Sequence, residues 1–309
     1  MGLNTSTKKV LVTGANGLLG QKLIALLLTK QYQVLATGRG ESRLPQDWEC
    51  SYHQMDVTDK AHVTEVFEMF QPEVVVHAAA MTQADQCEEK QEICHLQNVI
   101  GTKNIVETCK KLGAHLIFIS TDFVFDGESG PYTEEDNPNP VNYYGQTKLE
   151  GEYLVKEAGL DLWAIVRTVL VYGTMHRGSR SNIILWVKEN LEAQKHIKVV
   201  SDQWRSPTLV EDLAQGIESI MHKKATGIFN ICGPDFLTPY DMALATADYF
   251  GLDKGYMEKV SGDTFTQAAK RPSKTGLILE KAQKVLDFRP KSFAEGIGIL
   301  AKQLKLANS

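Results

Sequence analysis

The sequence lacks the features of a secreted, membrane-spanning or nucleic-acid-binding protein. Its five cysteines form no C-x-x-C pair and no cluster at zinc-ligand spacing, so we expect reduced thiols and no metal site. The longest apolar run, Leu23 to Leu28, is far shorter than a bilayer span, and no charged-then-apolar leader precedes Lys8. With 33 Lys and Arg against 38 Asp and Glu, the formal net charge of -5 cannot neutralise a nucleic-acid backbone or an anionic membrane. We therefore expect a cytoplasmic protein that binds neither nucleic acid nor a membrane.

The composition that remains is that of an ordinary globular protein. Apolar residues make up 43% and charged residues 23% of the 309 residues, which excludes a disordered or fibrous chain. Short β-rich runs alternate with longer helical patterns, an order typical of an α/β fold in which helices cover both faces of a parallel sheet. We predict strands at residues 9–13, 33–37, 50–54, 74–77, 116–120 and 162–167.

This alternation loosens after Tyr172, which predicts a second, smaller domain. Prolines interrupt the mostly helical stretch after residue 232, and the helix within 178–195 has no obvious partner strand. Residues 198–201, a helix at 212–221 and residues 228–231 are interpreted as a return to the main sheet. The prediction is a doubly wound parallel-sheet domain of residues 1–172 and 196–232, with a discontinuous C-terminal substrate domain of residues 173–195 and 233–309.

A glycine-rich turn joins the first predicted strand to the first helix. Glycine permits a sharp turn and a close backbone approach to a pyrophosphate, whose charge meets the N–H groups at the start of the helix. Because strand, glycines and helix agree, a dinucleotide-binding loop is favoured over a purely structural turn. The predicted cofactor contacts in this turn are Gly14, Asn16, Gly17, Leu18, Leu19 and Gly20.

The residues after the second strand bear on the choice of cofactor. In dinucleotide sites an acidic side chain there binds the adenosine ribose 2′-hydroxyl, whereas an arginine accommodates a 2′-phosphate. The chain has Arg39 at this place, which predicts NADP(H). NAD stays open, because a solvated loop arginine is the competing interpretation. Asp56 and Val57, after the third strand, are expected near the adenine.

Tyr144 and Lys148 lie four residues apart in a predicted helix and therefore share one helical face. When a hydride reaches a carbonyl carbon, a phenol can protonate the oxygen if a nearby ammonium lowers its pKa from about 10. A third polar group is expected at the end of a nearby strand, where Thr121 is the first candidate and Ser120 the second. Tyr143 competes with Tyr144, but only Tyr144 has a lysine at the fourth position. These residues predict a reductase with Thr121, Tyr144 and Lys148 as its catalytic residues.

These motifs resemble those of the extended short-chain dehydrogenase/reductases over nearly the whole chain. Two more segments are similar to that family's patterns, His77-Ala78-Ala79-Ala80 after the fourth strand and Asn98 to Asn104 in the next helix. The resemblance implies a Rossmann fold, an NAD(P)-dependent oxidoreductase and paired helices that often form a homodimer. It also implies cofactor contacts from Ala78, Ala79, Ala80, Asn98, Ser120, Tyr144 and Lys148.

Within that family the chain resembles the dTDP-4-dehydrorhamnose reductases. The similar segments are residues 120–127, 131–134, 202–208 and 271–273. This resemblance implies NADPH-dependent reduction of a 4-keto nucleotide sugar, as in dTDP-L-rhamnose synthesis. The substrate contacts predicted on this basis are Thr82, Val124, Phe125, Asn182 and Arg271, and a resemblance to sugar-nucleotide epimerases adds Arg205.

Three positions depart from related patterns. Phe123 stands where sugar-nucleotide 4,6-dehydratases carry a glutamate, so the base needed for water loss is missing and a dehydratase is disfavoured. Leu170 stands where the similar reductases carry a tryptophan near the sugar, which leaves the identity of the sugar open. Arg205 replaces a glycine of the reductases and matches an arginine that contacts the diphosphate in epimerases. An ion pair of Arg205 with Glu211 or Asp212 is the competing interpretation.

Two other functions stay open from the sequence. An epimerase of the same family would retain its cofactor and use Tyr144 in both half-reactions. A non-catalytic NADP-binding regulatory subunit, like that of methionine adenosyltransferase, has a similar fold and an arginine near the position of Arg205. The presence of Thr121, Tyr144 and Lys148 together favours catalysis, because a protein without catalysis has no chemical need for all three.

Overall fold

Short runs of valine, isoleucine and leucine build the centre of the fold, which a computed structural model describes over residues 8–178 and 181–307. The strands are β1 (Lys9–Thr13), β2 (Gln33–Gly38), β3 (Ser51–Gln54), β4 (Val74–His77), β5 (His115–Thr121), β6 (Trp163–Thr168), β7 (Val171–Tyr172), β8 (Ile197–Val200), β9 (Thr208–Leu209), β10 (Gly227–Asn230) and β11 (Met257–Val260). The helices are α1 (Leu18–Thr29), α2 (Lys60–Phe70), α3 (Ala84–Glu89), α4 (Gln91–His95), α5 (Gly101–Leu112), α6 (Tyr143–Glu157), α7 (Ile183–Glu192), α8 (Val210–Lys223), α9 (Pro239–Phe250), α10 (Glu280–Leu286) and α11 (Phe293–Ala307). A π-helical turn at Leu96–Ile100 joins α4 to α5.

Seven strands form the main sheet in the order β10-β6-β5-β4-β1-β2-β3, and every neighbouring pair is parallel. The chain changes direction across the sheet between β1 and β4, where Thr13 lies opposite His77. Ligands bind at such a switch point, beyond the carboxyl ends of the strands. The predicted α/β doubly wound parallel sheet is confirmed, and each predicted strand of this sheet ends within one residue of the observed one.

Successive residues of the central strands face two apolar layers, one on each side of the sheet. In β1, Val10 and Val12 pack with residues of α1 and α8, whereas Leu11 packs with residues of α2 and α5. All three side chains are fully buried. Burial of each such side chain contributes about 1.5–3 kcal/mol, so the two layers hold the strand ends in fixed positions.

β8 and β11 lie outside the main sheet and pair in parallel with each other. The expectation that residues 198–201 return to the main sheet is therefore wrong, whereas α8 and β10 do return to it. Ile197 and Val199 are buried and Lys198 is exposed, an alternation that suits any half-buried strand. Packing against α7 and α9 decides which sheet this strand joins.

Several elements of the C-terminal half pack around Tyr172 and Phe293, among them α7, α9 and α11. They include the segments from which the substrate domain is predicted, and the domain boundaries stay a prediction. Residues 1–7, 179–180 and 308–309 of those predicted domains lie outside the described residues. Across the described part of the chain, no helix combines the length and the apolar character needed to cross a membrane.

Candidate functional site

The glycine-rich turn after β1 leaves space for a ligand at the start of α1. Gly14 has a φ of +70°, and a Cβ there would come within 2.9 Å of the Ala78 backbone. A Cβ on Gly20 would collide with the Gly14 carbonyl oxygen. Among the described residues, no side chain caps the amino end of α1. The turn therefore offers backbone N–H groups and the positive end of a helix dipole to an anion such as a pyrophosphate.

A cavity of about 470 Å³ opens from this turn. The predicted cofactor contacts that line it are Gly14, Asn16, Gly17, Arg39, Asp56, Val57, Ala78, Ala79 and Ala80. Arg43 lines the same cavity and was not predicted, although its place four residues after Arg39 in one loop is a signal that could have found it. Arg39 Nη2 donates to Gln97 Oε1 over 3.4 Å. Two arginines at this cavity fit a cofactor with a 2′-phosphate.

Asn16 ties the arginine-bearing loop to the glycine-rich turn. Its Nδ2 donates to the Glu41 carbonyl oxygen over 2.9 Å, and its Oδ1 accepts the backbone N–H of Arg43 at 2.7 Å. The side chain thus bridges the segment that would hold a pyrophosphate and the segment that would hold an adenosine phosphate. Asn16 therefore has a structural reason to lie in this turn, besides any contact with a ligand.

A second cavity, of about 320 Å³, adjoins the first. Both are lined by Gly14, Gly17, Ala78, Ala80 and Thr82. The second cavity brings together Thr121, Tyr144 and Lys148, and Leu18, Leu19 and Gly20 line it as well. Asn142 Oδ1 accepts the Gly145 N–H at 2.9 Å and so fixes where α6 begins. Tyr143, the competing tyrosine, lines neither cavity.

Lys148 is a buried cation at the inner wall of this second cavity. Its side chain is 3% exposed, and Nζ lies 3.9 Å from the centre of the Phe118 ring. Burial lowers the pKa of Lys148 to about 7, while the Glu152 carboxylate and Cys94 act in the opposite direction. Lys148 can therefore gain or lose its proton near neutral pH.

The Thr121 hydroxyl is oriented by its neighbours in the chain. It donates to Asp122 Oδ1 over 3.1 Å and accepts the Phe123 N–H at 3.2 Å. Asp122 is itself buried, and burial raises the pKa of its carboxyl group, while Arg205 and Thr275 favour the charged form. These contacts hold Thr121 at the end of β5, with its hydroxyl hydrogen directed to Asp122.

Ser120, the second candidate for the strand-end hydroxyl, is engaged on the other side of β5. It lies along the second cavity, but its Oγ donates to Glu152 Oε1 over 2.6 Å. Successive side chains of a strand point to opposite faces, so only one of the two hydroxyl groups can face the substrate. Thr121 is the one that the arrangement favours.

Arg205 lines the second cavity, and the protein uses its guanidinium group for several contacts. Nη1 donates to the carbonyl oxygens of Trp204 and Ser273, and Nη2 donates to that of Pro272 over 2.7 Å. Nε lies 4.0 Å from Asp122 Oδ2, an ion pair in which both side chains are buried. Arg205 thus holds the loop before β9 against the loop around residue 273.

The two acidic residues considered as partners for Arg205 pair elsewhere. Glu211 accepts Lys22 at 2.9 Å, and Asp212 faces Lys291 at 3.5 Å. The acidic partner of Arg205 is Asp122 and not Glu211 or Asp212. Arg205 therefore forms a buried ion pair, as the competing interpretation expects, but with a different residue.

Two further predicted substrate contacts lie at or near the cleft. Thr82 is exposed and lines both cavities. Arg271 lines neither and instead forms a paired interaction with Asp85, with Nη1 to Oδ1 at 2.9 Å and Nη2 to Oδ2 at 2.6 Å. The Ala269 N–H also donates to Asp85. Asp85 therefore fastens the loop around Arg271 to the start of α3.

The remaining predicted substrate contacts lie away from the cavity walls. Asn182 caps α7 through Oδ1 and donates to the Gly173 carbonyl oxygen. Val124 and Phe125 are at most 1% exposed in the apolar core, where the Phe125 ring stacks on Tyr132 at 4.1 Å. The short 3-10 turn after Thr121 directs these two side chains into the core rather than to the cleft.

Asn98 supports the site from behind the cavity walls. Its Oδ1 accepts the Met81 N–H at 2.8 Å, and its Nδ2 donates to the Met81 carbonyl and to Thr147 Oγ1 at 3.0 Å. It thereby links the segment after Ala80 to α6. His77, to which no role was assigned, lies between Thr13 and Thr102, and burial lowers its pKa to about 3.

Known proteins resemble this chain over most of its length. The family described as RmlD substrate binding domain matches residues 8–306. A dTDP-4-keto-6-deoxy-D-glucose reductase of Streptomyces niveus is 34% identical over 272 residues, 88% of this chain and 88% of the relative. Methionine adenosyltransferase 2 subunit beta of Rattus norvegicus is 32% identical over 286 residues, 91% of this chain and 83% of the relative.

Solved structures agree with this placement. A dTDP-4-dehydrorhamnose reductase from Bacillus anthracis, in complex with NADP, is similar with a TM-score of 0.83 and 28% identity, covering 96% of this chain and 99% of the other. An orthologous reductase from Clostridium acetobutylicum has a TM-score of 0.84 and 31% identity, and again 96% of this chain and 99% of the other are covered. The chain belongs to the RmlD substrate-binding domain family, within the extended short-chain dehydrogenase/reductases.

Proposed function

We propose that the chain is an NADPH-dependent reductase of a 4-keto nucleotide sugar, of the dTDP-4-dehydrorhamnose reductase type. The observation that carries the proposal is the meeting of Thr121, Tyr144 and Lys148 at one cavity that adjoins a cavity lined by a phosphate-binding turn and two arginines. The reductases of Streptomyces niveus and Bacillus anthracis support the choice of substrate class and, in the second case, of NADP.

The cofactor would be held by the residues that line the first cavity. Gly14, Gly17 and the start of α1 would bind its pyrophosphate, and Arg39 with Arg43 would bind its 2′-phosphate. Lys148 would reach the nicotinamide ribose from the second cavity. When bound, NADPH supplies the hydride.

The side chains of the second cavity then complete the reduction. Tyr144 donates a hydrogen bond to the carbonyl oxygen of the substrate, and Thr121 donates a second one when its hydroxyl hydrogen turns from Asp122 Oδ1 to that oxygen. Both stabilise the negative charge that develops on the oxygen. Tyr144 transfers its proton to that oxygen, and the Lys148 ammonium stabilises the phenolate that remains. The product is the corresponding alcohol.

The oxidation of NADPH tests this proposal. The absorbance of NADPH is followed in the presence of dTDP-4-keto-6-deoxy-L-mannose, generated in situ, with the wild-type chain. Steady turnover supports the reductase. Tight NADPH binding without oxidation by this or other 4-keto sugars contradicts it, and instead favours a non-catalytic, cofactor-binding regulatory subunit.

Arg39 and Arg43 should determine the preference for NADPH. We expect Arg39→Ala to raise the KM for NADPH by about tenfold or more, because a charge-assisted hydrogen bond to a phosphate is lost. NADH has no 2′-phosphate, so its KM serves as the control and should not change. Steady-state kinetics with both cofactors gives the ratio, and an unchanged ratio in Arg39→Ala and Arg43→Ala would remove both residues from this role.

Arg205 is proposed to bind the diphosphate of the nucleotide sugar. We expect Arg205→Ala to raise the KM for the sugar nucleotide by about tenfold or more, because a charge-assisted contact with the diphosphate is lost. The Kd for NADPH, measured by fluorescence titration, is the control and should stay at the wild-type value. An unchanged KM would leave Arg205 with its contacts to the loop around Ser273 alone.

A homodimer is also proposed. Ile93, Leu96 and Tyr153 are large exposed apolar side chains on α4, the π-helical turn and α6, which contact one another. Such side chains on adjoining helices favour a second copy of the chain as their cover. Light scattering on the purified protein measures the mass, and a monomer mass at micromolar concentration would exclude the dimer.

A cytoplasmic location is also proposed. The free cysteines of the described residues support it, because thiols stay reduced in that compartment.

A further inference from the structure

A charged pair lies buried behind the second cavity, where β5, β6 and α6 meet. Glu152 of α6 and Arg167 of β6 are each 1% exposed. Arg167 Nε donates to Glu152 Oε1 over 3.0 Å, and Nη2 donates to Oε2 over 2.7 Å. Ser120 of β5 donates to the same carboxylate over 2.6 Å. One carboxylate therefore joins two strands and a helix.

Apolar side chains alone could join β5, β6 and α6 without the free-energy cost of burying charges. Removing two charges from water carries a penalty of several kcal/mol per ion, and hydrophobic replacements are often as stable. In addition, Arg167 Nη1 has no hydrogen-bond partner among the described residues, although the Phe125 ring lies 5.0 Å from the guanidinium carbon. Stability is thus a weak reason for placing this pair here.

The position of the pair relative to the catalytic residues suggests a different reason. Ser120 directly precedes Thr121 on β5, and Glu152 follows Lys148 by one turn of α6, on the same helical face as Tyr144. The carboxylate is therefore bonded to the strand that carries Thr121 and belongs to the helix that carries Tyr144 and Lys148.

The titratable and charged groups around Lys148 belong to several helices and strands. Glu152 and Tyr144 share α6 with it, Cys94 approaches from α4, and His77 approaches from β4. Burial keeps His77 neutral, since its pKa lies at about 3. Arg167 of β6 holds the far side of the Glu152 carboxylate. Among these groups, Glu152 is the carboxylate that counters the burial of the Lys148 ammonium.

We propose that Glu152 is a positioning residue of the reductase, whose carboxylate, held by Arg167 and Ser120, fixes β5 against α6 and favours the ammonium form of Lys148. The kinetic part of this inference rests on the proposed reductase function. The charge relation between Glu152 and Lys148 is a property of the protein itself and can be measured without any substrate.

The first test is an NMR titration of Lys148 in the full chain labelled with ¹³C-lysine. The Lys148 signal is identified by its absence in Lys148→Arg. The wild-type signal should titrate near pH 7, and Glu152→Gln should move the midpoint downward by about one unit or more, because an opposite charge nearby is lost. Ser120→Ala, which changes no charge, should leave it in place. An unchanged midpoint in Glu152→Gln overturns the inference.

A second variant covers the case in which Glu152→Gln does not fold. In Glu152→Gln with Arg167→Met, both buried charges are gone, so no unpaired guanidinium remains to destabilise the core. The Lys148 midpoint should still lie below that of the wild type, because the neighbouring carboxylate is missing. A wild-type midpoint in this double variant contradicts the proposal equally.

Kinetics separates this inference from the reductase assignment. With a 4-keto nucleotide sugar, the pH at which kcat/KM falls should move downward in Glu152→Gln, in the same direction as the titration midpoint. Ser120→Ala should lower kcat without moving that pH. If the wild-type chain reduces no 4-keto sugar, the reductase assignment fails and the titration alone decides the charge relation. If it does, and the pH profile of Glu152→Gln is that of the wild type, the inference fails.

Discussion

Replacing Tyr144 by phenylalanine should lower kcat for the reduction by at least about 100-fold, the contribution typical of a positioned general acid. Phenylalanine keeps the ring that lies 5.9 Å from the Phe123 ring, but it has no proton to give to the carbonyl oxygen. Thr121 can still donate a hydrogen bond, so residual turnover is expected. The rate of NADPH oxidation with a 4-keto nucleotide sugar measures the effect.

Tyr143→Phe is the matched control for this prediction. Tyr143 is the neighbouring residue, begins the same helix and lines neither cavity. Its variant should retain wild-type kcat, and both variants should bind NADPH with wild-type Kd. A Tyr144→Phe enzyme with wild-type kcat, or an equal loss in Tyr143→Phe, would show that Tyr144 is not the proton donor.

Replacing Lys148 by methionine should also lower kcat by at least about 100-fold. A phenol without a neighbouring ammonium has a pKa of about 10 and is a poor proton donor at neutral pH. The pH dependence of the wild-type enzyme follows from the charge of the same side chain. The pKa of Lys148 lies at about 7, so the side chain is an ammonium below that pH and a neutral amine above it. The rate of reduction should therefore fall as the pH rises through about 7.

Lys156→Met provides the control, because Lys156 lies on the same helix and its side chain is exposed. Its kcat and pH profile should match those of the wild type. The lysine assignment would be contradicted by a Lys148→Met enzyme that retains wild-type kcat at pH 6, where the wild-type lysine is charged. A wild-type rate that increases through neutral pH would contradict the same assignment.

Local patterns were sufficient to predict most of the fold. The strands of the main sheet could be predicted from short apolar runs that alternate with amphipathic helices. Each run indicates a buried strand from its own residues, without reference to the rest of the chain. The requirement for glycine at position 20 is local, since a Cβ there would meet the Gly14 carbonyl oxygen. At position 14 the φ of +70° is local, but the lack of room for a Cβ comes from the distant Ala78 backbone. The strand at Ile197–Val200 was predicted but assigned to the wrong sheet. The alternation of apolar and polar residues shows that one face of this strand is buried. It does not show which other strand pairs with it.

Contacts between distant segments could not be predicted in this way. Asp122 meets Arg205 and Thr275, and these residues lie far apart along the chain. Nothing in their spacing marks them as neighbours, so the ion pair of Arg205 was expected with acidic residues nearer in sequence. The Ser120 contact with Glu152 was missed for the same reason. The meeting of Thr121, Tyr144 and Lys148 could be anticipated, because the order of strand, loop and helix places strand ends beside helix starts.

The fate of the transferred hydride tests the reductase function most directly. The wild-type chain is mixed with a 4-keto dTDP-6-deoxysugar and NADPH that carries deuterium at the transferable position of the nicotinamide. Each NADPH consumed should yield one product sugar with a single deuterium at C4, seen by mass spectrometry and NMR. An unlabelled epimerised sugar, or bound NADPH that transfers no deuterium to any 4-keto nucleotide sugar, would contradict the reductase function.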